Sequence, residues 1–311
     1  MSAERVTLPR LTIPRIRRLS PMQRKEYLTF LLFIAPNLLL FIVFTFWPLI
    51  YSFELSFFKW NMISPTKTFV GLGNYTKMIE DPVYWLVVKN TAYVAAGTVF
   101  VKLAIALALA LLLNQKLAGR TFYRAIIFSP TFTTSVAVAM VWTWIFDPFY
   151  GVLRVPLNWL GIASPHWLSD VQWTVPALII VSIWAGVGYD MVIFLAGLQA
   201  IPRTLYEAAK VDGASGWHLF RHITLPLLSP TTFFLVVTSI ISSFKIFDLV
   251  SVMTGGGPLN SSNVYIYYLY QNGFKWFKMG YASTLAVTFF VIVLIITIFQ
   301  TILSKRWVHY Q

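Results

Sequence analysis

Six stretches of this chain run almost without charge for the length of a membrane crossing: 28–53, 87–113, 122–146, 171–198, 226–250 and 281–303. Each holds at least about twenty mostly apolar residues, enough for a helix to cross a hydrocarbon layer of about 30 Å. The pattern predicts an all-α fold, a polytopic membrane protein with about six transmembrane helices. Pro130, Pro176 and Pro230 lie within or at the ends of these segments and predict kinks, tolerated where neighbouring protein satisfies the freed backbone groups. The first segment is too long, and ends in residues too bulky, for a cleaved signal peptide; it is expected to stay attached as the first helix.

Composition agrees. Apolar residues make up 58% of the 311 and charged residues 11%, whereas a soluble domain carries roughly 25% charged residues to clothe its surface. The net charge of +13 would suggest nucleic acid in a soluble protein. Here the basic residues cluster at segment edges and the N-terminus, where membrane topology and anionic lipid explain them, so no nucleic-acid partner is expected. There is no cysteine, and the four histidines (His166, His218, His222, His309) lack the spacing of a metal site.

Lysine and arginine set the predicted orientation. With the N-terminus inside, fifteen fall on the cytoplasmic side, among them Arg5, Arg10, Arg15, Arg17, Arg18, Arg24 and Lys25. Six fall outside: Lys59, Lys67, Lys77, Arg154, Lys275 and Lys278. The positive-inside rule then places both termini in the cytoplasm. External loops carry aromatics suited to headgroup depth, such as Trp60, Trp159 and Trp276. The expected organisation is a basic arm over 1–27, a transmembrane domain over 28–303 and a short tail over 304–311.

One cytoplasmic loop, between the fourth and fifth segments, is more than a linker. Pro202 suits the first turn of a helix, Leu205–Lys210 holds strong helix formers, and Gly213 is placed to end that helix in a left-handed conformation. A second short helix is predicted from about Ser215 to His222. Small residues (Ala208, Ala209, Gly213, Ala214, Gly216) permit close approach of another surface, and Leu205, Leu219 and Phe220 are apolar knobs. The physical reading is a docking site for a cytoplasmic partner; an amphipathic helix resting on the bilayer is the alternative.

Glu207-Ala208-Ala209, Gly213 and Ile223-x-Leu225-Pro226 resemble the EAA loop of binding-protein-dependent ABC importer permeases. Phe69-Val70-Gly71-Leu72-Gly73-Asn74-Tyr75, Phe247-Asp248 with Thr254-Gly255-Gly256-Gly257-Pro258, and Gly280-Tyr281-Ala282-Ser283 look like segments of the carbohydrate-uptake permeases, closest to the maltose F-type subunit. The extra N-terminal spans and large periplasmic insertion of the maltose prototype are absent, as in shorter family members. The resemblance implies the type I importer permease fold, with the loop 201–225 as coupling helix and Glu207, Ala208, Ala209, Asp212 and Gly213 as docking residues. It implies as partners a second permease subunit, two ATPase subunits and an extracytoplasmic solute-binding protein, in a bacterial or archaeal cytoplasmic membrane. ATP and Mg would sit on the ATPases; no phosphate-binding loop exists in this chain, since no glycine precedes a lysine. The chain is therefore expected to transport rather than to catalyse, and to bind no cofactor of its own.

Polar residues in the bilayer need a reason. Ser239, Ser242, Ser243 and Ile246 share one helical face, as do Ser182, Gly186 and Tyr189. Spacing alone leaves open whether they line a cavity or mark close helix packing. In maltose-type permeases these spans supply the sugar pocket, so the resemblance implies substrate-binding roles for Ser182, Trp184, Gly186, Tyr189, Ser239, Ser242 and Ser243. Trp184 points off the stripe in a straight helix. Lys245 and Asp248, three apart, are expected to pair with each other; Lys102 has no evident partner, and Asp190 faces either a substrate hydroxyl or the cytoplasmic vestibule. An ion-coupled carrier and a membrane-embedded glycosyltransferase are the other functions considered. The first calls for paired carboxylates or an inverted repeat and the second for clustered acids, and neither is evident.

Overall fold

The computed structural model describes residues 20–308; Arg5, Arg10, Arg15, Arg17 and Arg18 of the basic arm, and 309–311 with His309, lie outside them. The chain divides after Tyr51 into two units. The described part of the first is one long helix, part of the span Pro21–Leu55. It starts earlier than the apolar pattern predicted because Ser20 caps it: the Ser20 hydroxyl accepts from the Gln23 backbone while the Gln23 side chain accepts from Ser20 N–H. One wide turn, Ile42–Phe46, interrupts it. Between Pro21 and Phe46 it buries no side chain, as suits a helix in lipid.

In the second unit, helices Pro82–Leu113, Thr174–Ala200, Ser229–Met253 and Met279–Ser304 are long and apolar enough to cross a membrane. The span over 122–146, where Pro130 predicts a kink, is two helices, Arg120–Phe132 and Ser135–Ile145, bent by 103°. Pro130 sits in a tight turn before the break, and Thr134 caps a fresh helix by accepting from Ala137 N–H. Pro176 and Pro230 produce no such bend. Both occupy the first turn of their helices, where the missing N–H would be unpaired anyway. A two-residue hairpin pairs Phe58 with Phe69 and Lys59 with Thr68, the one departure from an all-helical chain among the described residues.

The core lies between the second and fourth spans. Val99, Leu103, Ala106 and Ala110 meet Met191, Phe194, Leu195 and Leu198, with Leu228 and Leu235 of the fifth span closing the cluster. Toward the other end, Val94, Leu178 and Val181 pack with Leu249, Val250 and Tyr267. Together these two clusters hold the fourth and fifth spans on either side of an intramembrane cavity.

Candidate functional site

The cavity has a volume of about 390 Å³. Ser182, Gly186 and Tyr189 face it from the fourth span, and Ser239, Ser242 and Ser243 from the fifth, so both polar stripes meet in one space. Trp184 does not line it; the ring lies edge-on to Trp142 at 5.5 Å, consistent with a straight helix turning that position away. Ser182 donates to the Leu178 carbonyl at 2.7 Å within its own helix. Among the described residues the hydroxyls of Tyr189, Ser242 and Ser243 have no hydrogen-bond partner, and Thr98, also on the wall, buries an unpaired hydroxyl. Thr131 and Ser135 also line the cavity without a hydrogen bond, so six wall hydroxyls have no partner among the described residues.

Four charged side chains complete the wall, and two sequence expectations about them need correcting. Lys102 has a partner: its Nζ lies 2.9 Å from Asp190 Oδ2, joining the second span to the fourth. Ser239 of the fifth span donates weakly to the same oxygen at 3.5 Å. Asp190 is therefore an ion-pair partner, 2% exposed, rather than a lone carboxylate. The Lys102 side chain passes close over Gly186, where a Cβ would stand 3.1 Å from Lys102 Cδ. By contrast, no ion pair joins Lys245 to Asp248. The helix ends at Phe244 and restarts at Asp248, with Lys245 in the break, so the three-residue spacing never becomes one turn of continuous helix. Both side chains border the cavity separately.

The loop 201–225 forms two helices, as its sequence predicts, with different limits. Pro202 stands just outside the first helix, Arg203–Val211, in an extended conformation. The chain leaves that helix through paired bonds, Ala214 N–H to Ala209 O at 2.9 Å and Gly213 N–H to Lys210 O at 3.0 Å. With Gly213 at φ +80°, this is a Schellman turn, which satisfies the last carbonyls of the helix. Ser215 caps the next helix, Gly216–Leu219, which continues through a wide turn to Leu227 rather than stopping at His222. Tyr206 OH meets Thr224 Oγ1 at 3.0 Å and ties the arms together.

Glu207, Ala208, Asp212 and Gly213 are exposed on this elbow, and Ala209 is half-buried. Leu219, expected as an exposed knob, is 9% exposed and packs inward. Leu205 is exposed as expected, and two further apolar residues join it, Val211 at 89% and Trp217 at 69%. Sequence reading missed both; a valine on the last turn of a polar surface helix was the available signal.

Residues 101–309 match the family described as "Binding-protein-dependent transport system inner membrane component". The sn-glycerol-3-phosphate transport system permease protein UgpA of Brucella abortus is 35% identical over 89% of this chain and 95% of its own length. The probable ABC transporter permease protein YesP of Bacillus subtilis is 39% identical over 93% and 94%. A chain of a bacterial alginate ABC transporter, solved with an alginate-pentasaccharide-bound periplasmic protein, superposes with a TM-score of 0.80 at 24% identity over 91% of this chain and 96% of that one. That likeness is one of fold. The long relatives and the family match leave no ambiguity: the chain belongs to the inner-membrane permease subunits of binding-protein-dependent ABC transporters.

Proposed function

We propose that this permease forms, with a second permease subunit, the translocation path for a sugar or related polyol. The solute is delivered by an extracytoplasmic binding protein and moved by alternating access in a bacterial or archaeal cytoplasmic membrane, with both termini in the cytoplasm. Two ATPase subunits, carrying ATP and Mg, dock on the loop 201–225 through Glu207, Ala208, Ala209, Asp212 and Gly213. The observation that carries the reading is the cavity between the fourth and fifth spans, where unpaired hydroxyls of Tyr189, Ser242 and Ser243 face a space of about 390 Å³. A polyhydroxylated solute exchanges hydrogen bonds with such a wall, and the Tyr189 ring offers a flat apolar face to a sugar ring. Lys102 is neutralised by Asp190, and Lys245 and Asp248 add one charge of each sign, so the wall carries no net charge, which suits a neutral solute better than a phosphate ester.

The test is uptake by the complex purified with its native partners and reconstituted in vesicles. Each lost hydroxyl–solute bond weakens binding by about 0.5–1.5 kcal/mol. Replacing Ser242 and Ser243 together by alanine should therefore raise the half-saturating solute concentration by roughly tenfold, with basal ATP hydrolysis unchanged. Copurification without any ATPase subunit, or uptake indifferent to both serines, would overturn the reading.

A further inference from the structure

A second cavity, of about 690 Å³, lies on the opposite membrane side from the 201–225 loop, counting crossings along the chain. Its walls are the Phe58–Phe69 hairpin, the start of the short helix Gly73–Glu80 and the residues leading into the last span. They are fixed by hydrogen bonds. Asn74 donates to the Ser56 and Phe58 carbonyls at 2.8 and 3.0 Å, Trp60 Nε1 donates to Ser64 O at 2.9 Å, and Gly280 N–H donates to Trp60 O at 3.2 Å.

Three lysines, Lys59, Lys77 and Lys278, line this pocket, and no acidic residue does. None of the three has an ion-pair partner among the described residues. Lys77 lies over the Tyr281 ring at 5.3 Å and Lys278 over the Trp276 ring at 5.2 Å, contacts that leave the charge uncompensated. The carboxylate nearest in sequence to the second span, Asp81, is already committed. It accepts from Val83 N–H at 2.9 Å, Tyr268 OH at 2.5 Å and Tyr281 OH at 3.2 Å. Burial, then its bond to Asp81, pushes the Tyr268 phenol up to about 12, so this donor persists at any physiological pH. The pocket is a ready anion site.

Its height identifies the anion. Tyr281 belongs to the first turn of the last span, and Lys77 lies in the last turn of the short helix Gly73–Glu80, just before the second span begins at Pro82. Beside the lysines, Ile63, Phe69, Leu72 and Phe277 expose apolar side chains. Amphipathic rings and basic residues next to bare apolar ones mark the headgroup layer. We propose that this pocket binds the headgroup of an anionic phospholipid of the outer leaflet. The phosphate would lie against Lys59, Lys77 and Lys278, and the acyl chains would run along the exposed apolar side chains.

The complex, purified with its partners in detergent, should be titrated with phosphatidylglycerol or phosphatidylcholine and examined by native mass spectrometry. Tight, saturable binding of phosphatidylglycerol alone is expected, and sn-glycerol phosphate or inorganic phosphate at millimolar concentration should not displace it. The variant K59Q/K77Q/K278Q should bind phosphatidylglycerol roughly 100-fold more weakly, at about fivefold per lysine, while K59R/K77R/K278R keeps it. Should the glutamine variant fail to assemble, the two-lipid comparison on the wild type decides alone. Equal retention of phosphatidylcholine, displacement by free phosphate esters, or unchanged binding in a folded glutamine variant would each overturn the proposal. So would displacement of the lipid by the solute-binding protein, which would make this a protein-docking patch.

Discussion

With Asp190 replaced by leucine, the assembled complex should lose about 3–5 kcal/mol of stability, the cost of removing one partner from a buried ion pair. A separate line of reasoning gives a similar size: an unpaired lysine inside a span costs about 2.5–3.5 kcal/mol on insertion scales. Lys102 is only 8% exposed, so it has little room to reach water where it stands. Asp190→Asn should be milder, because the amide still accepts a hydrogen bond from the lysine. Replacing both residues, Lys102→Met with Asp190→Leu, should recover most of the loss, since apolar groups of similar volume remove the penalty along with the pair. Thermal unfolding of the wild type, Lys102→Met, Asp190→Leu and the double variant in one detergent gives the coupling energy. A coupling below about 0.5 kcal/mol would show that the pair is not what holds these charges in the membrane. If the double variant is stable yet transports poorly, the pair serves the cavity rather than the fold.

That pair also marks where sequence reading stops. Residues 102 and 190 sit on different spans, and nothing in either local pattern announces that they meet. Gly186 gives the lysine side chain close passage, a contact between spans that its own local pattern does not reveal. Short-range features were legible because their causes are local. Helical spacing put Ser182, Gly186 and Tyr189 on one face, and a glycine two residues past Val211 set the turn of the cytoplasmic loop. Where a local rule assumed an unbroken helix it failed. Lys245 and Asp248 were three apart on paper, but the helix breaks between them. In the 122–146 segment Pro130 announced a bend but not its size: the 103° turn comes from the break after Phe132, where Thr134 caps a new helix.

Gly213 offers the sharpest test of the cytoplasmic loop. At φ +80° it holds the Schellman turn, yet nothing lies within 4 Å of the position a Cβ would take. A substitution there meets no clash within this chain, so its effect on the elbow itself comes from the left-handed backbone. The penalty for a side chain in that conformation is roughly 1–2 kcal/mol, small beside the 5–15 kcal/mol that typically holds a domain together. The variants should therefore insert and assemble normally. Docking is another matter, because a surface that spends less time in the competent shape binds in proportion to that fraction. A strain of about 1–2 kcal/mol cuts the competent fraction by roughly 5- to 30-fold. Transport and solute-stimulated ATP hydrolysis should fall in the order Gly, Asn, Ala, Val, with asparagine mildest because it tolerates the left-handed region and valine most severe because it is branched at Cβ. Quantified membrane levels of each variant separate folding from coupling. Wild-type coupling in Gly213→Val at equal abundance would mean that the elbow's shape is not what the ATPase partner reads. In that case the exposed Val211 and Trp217 would become the contacts to examine.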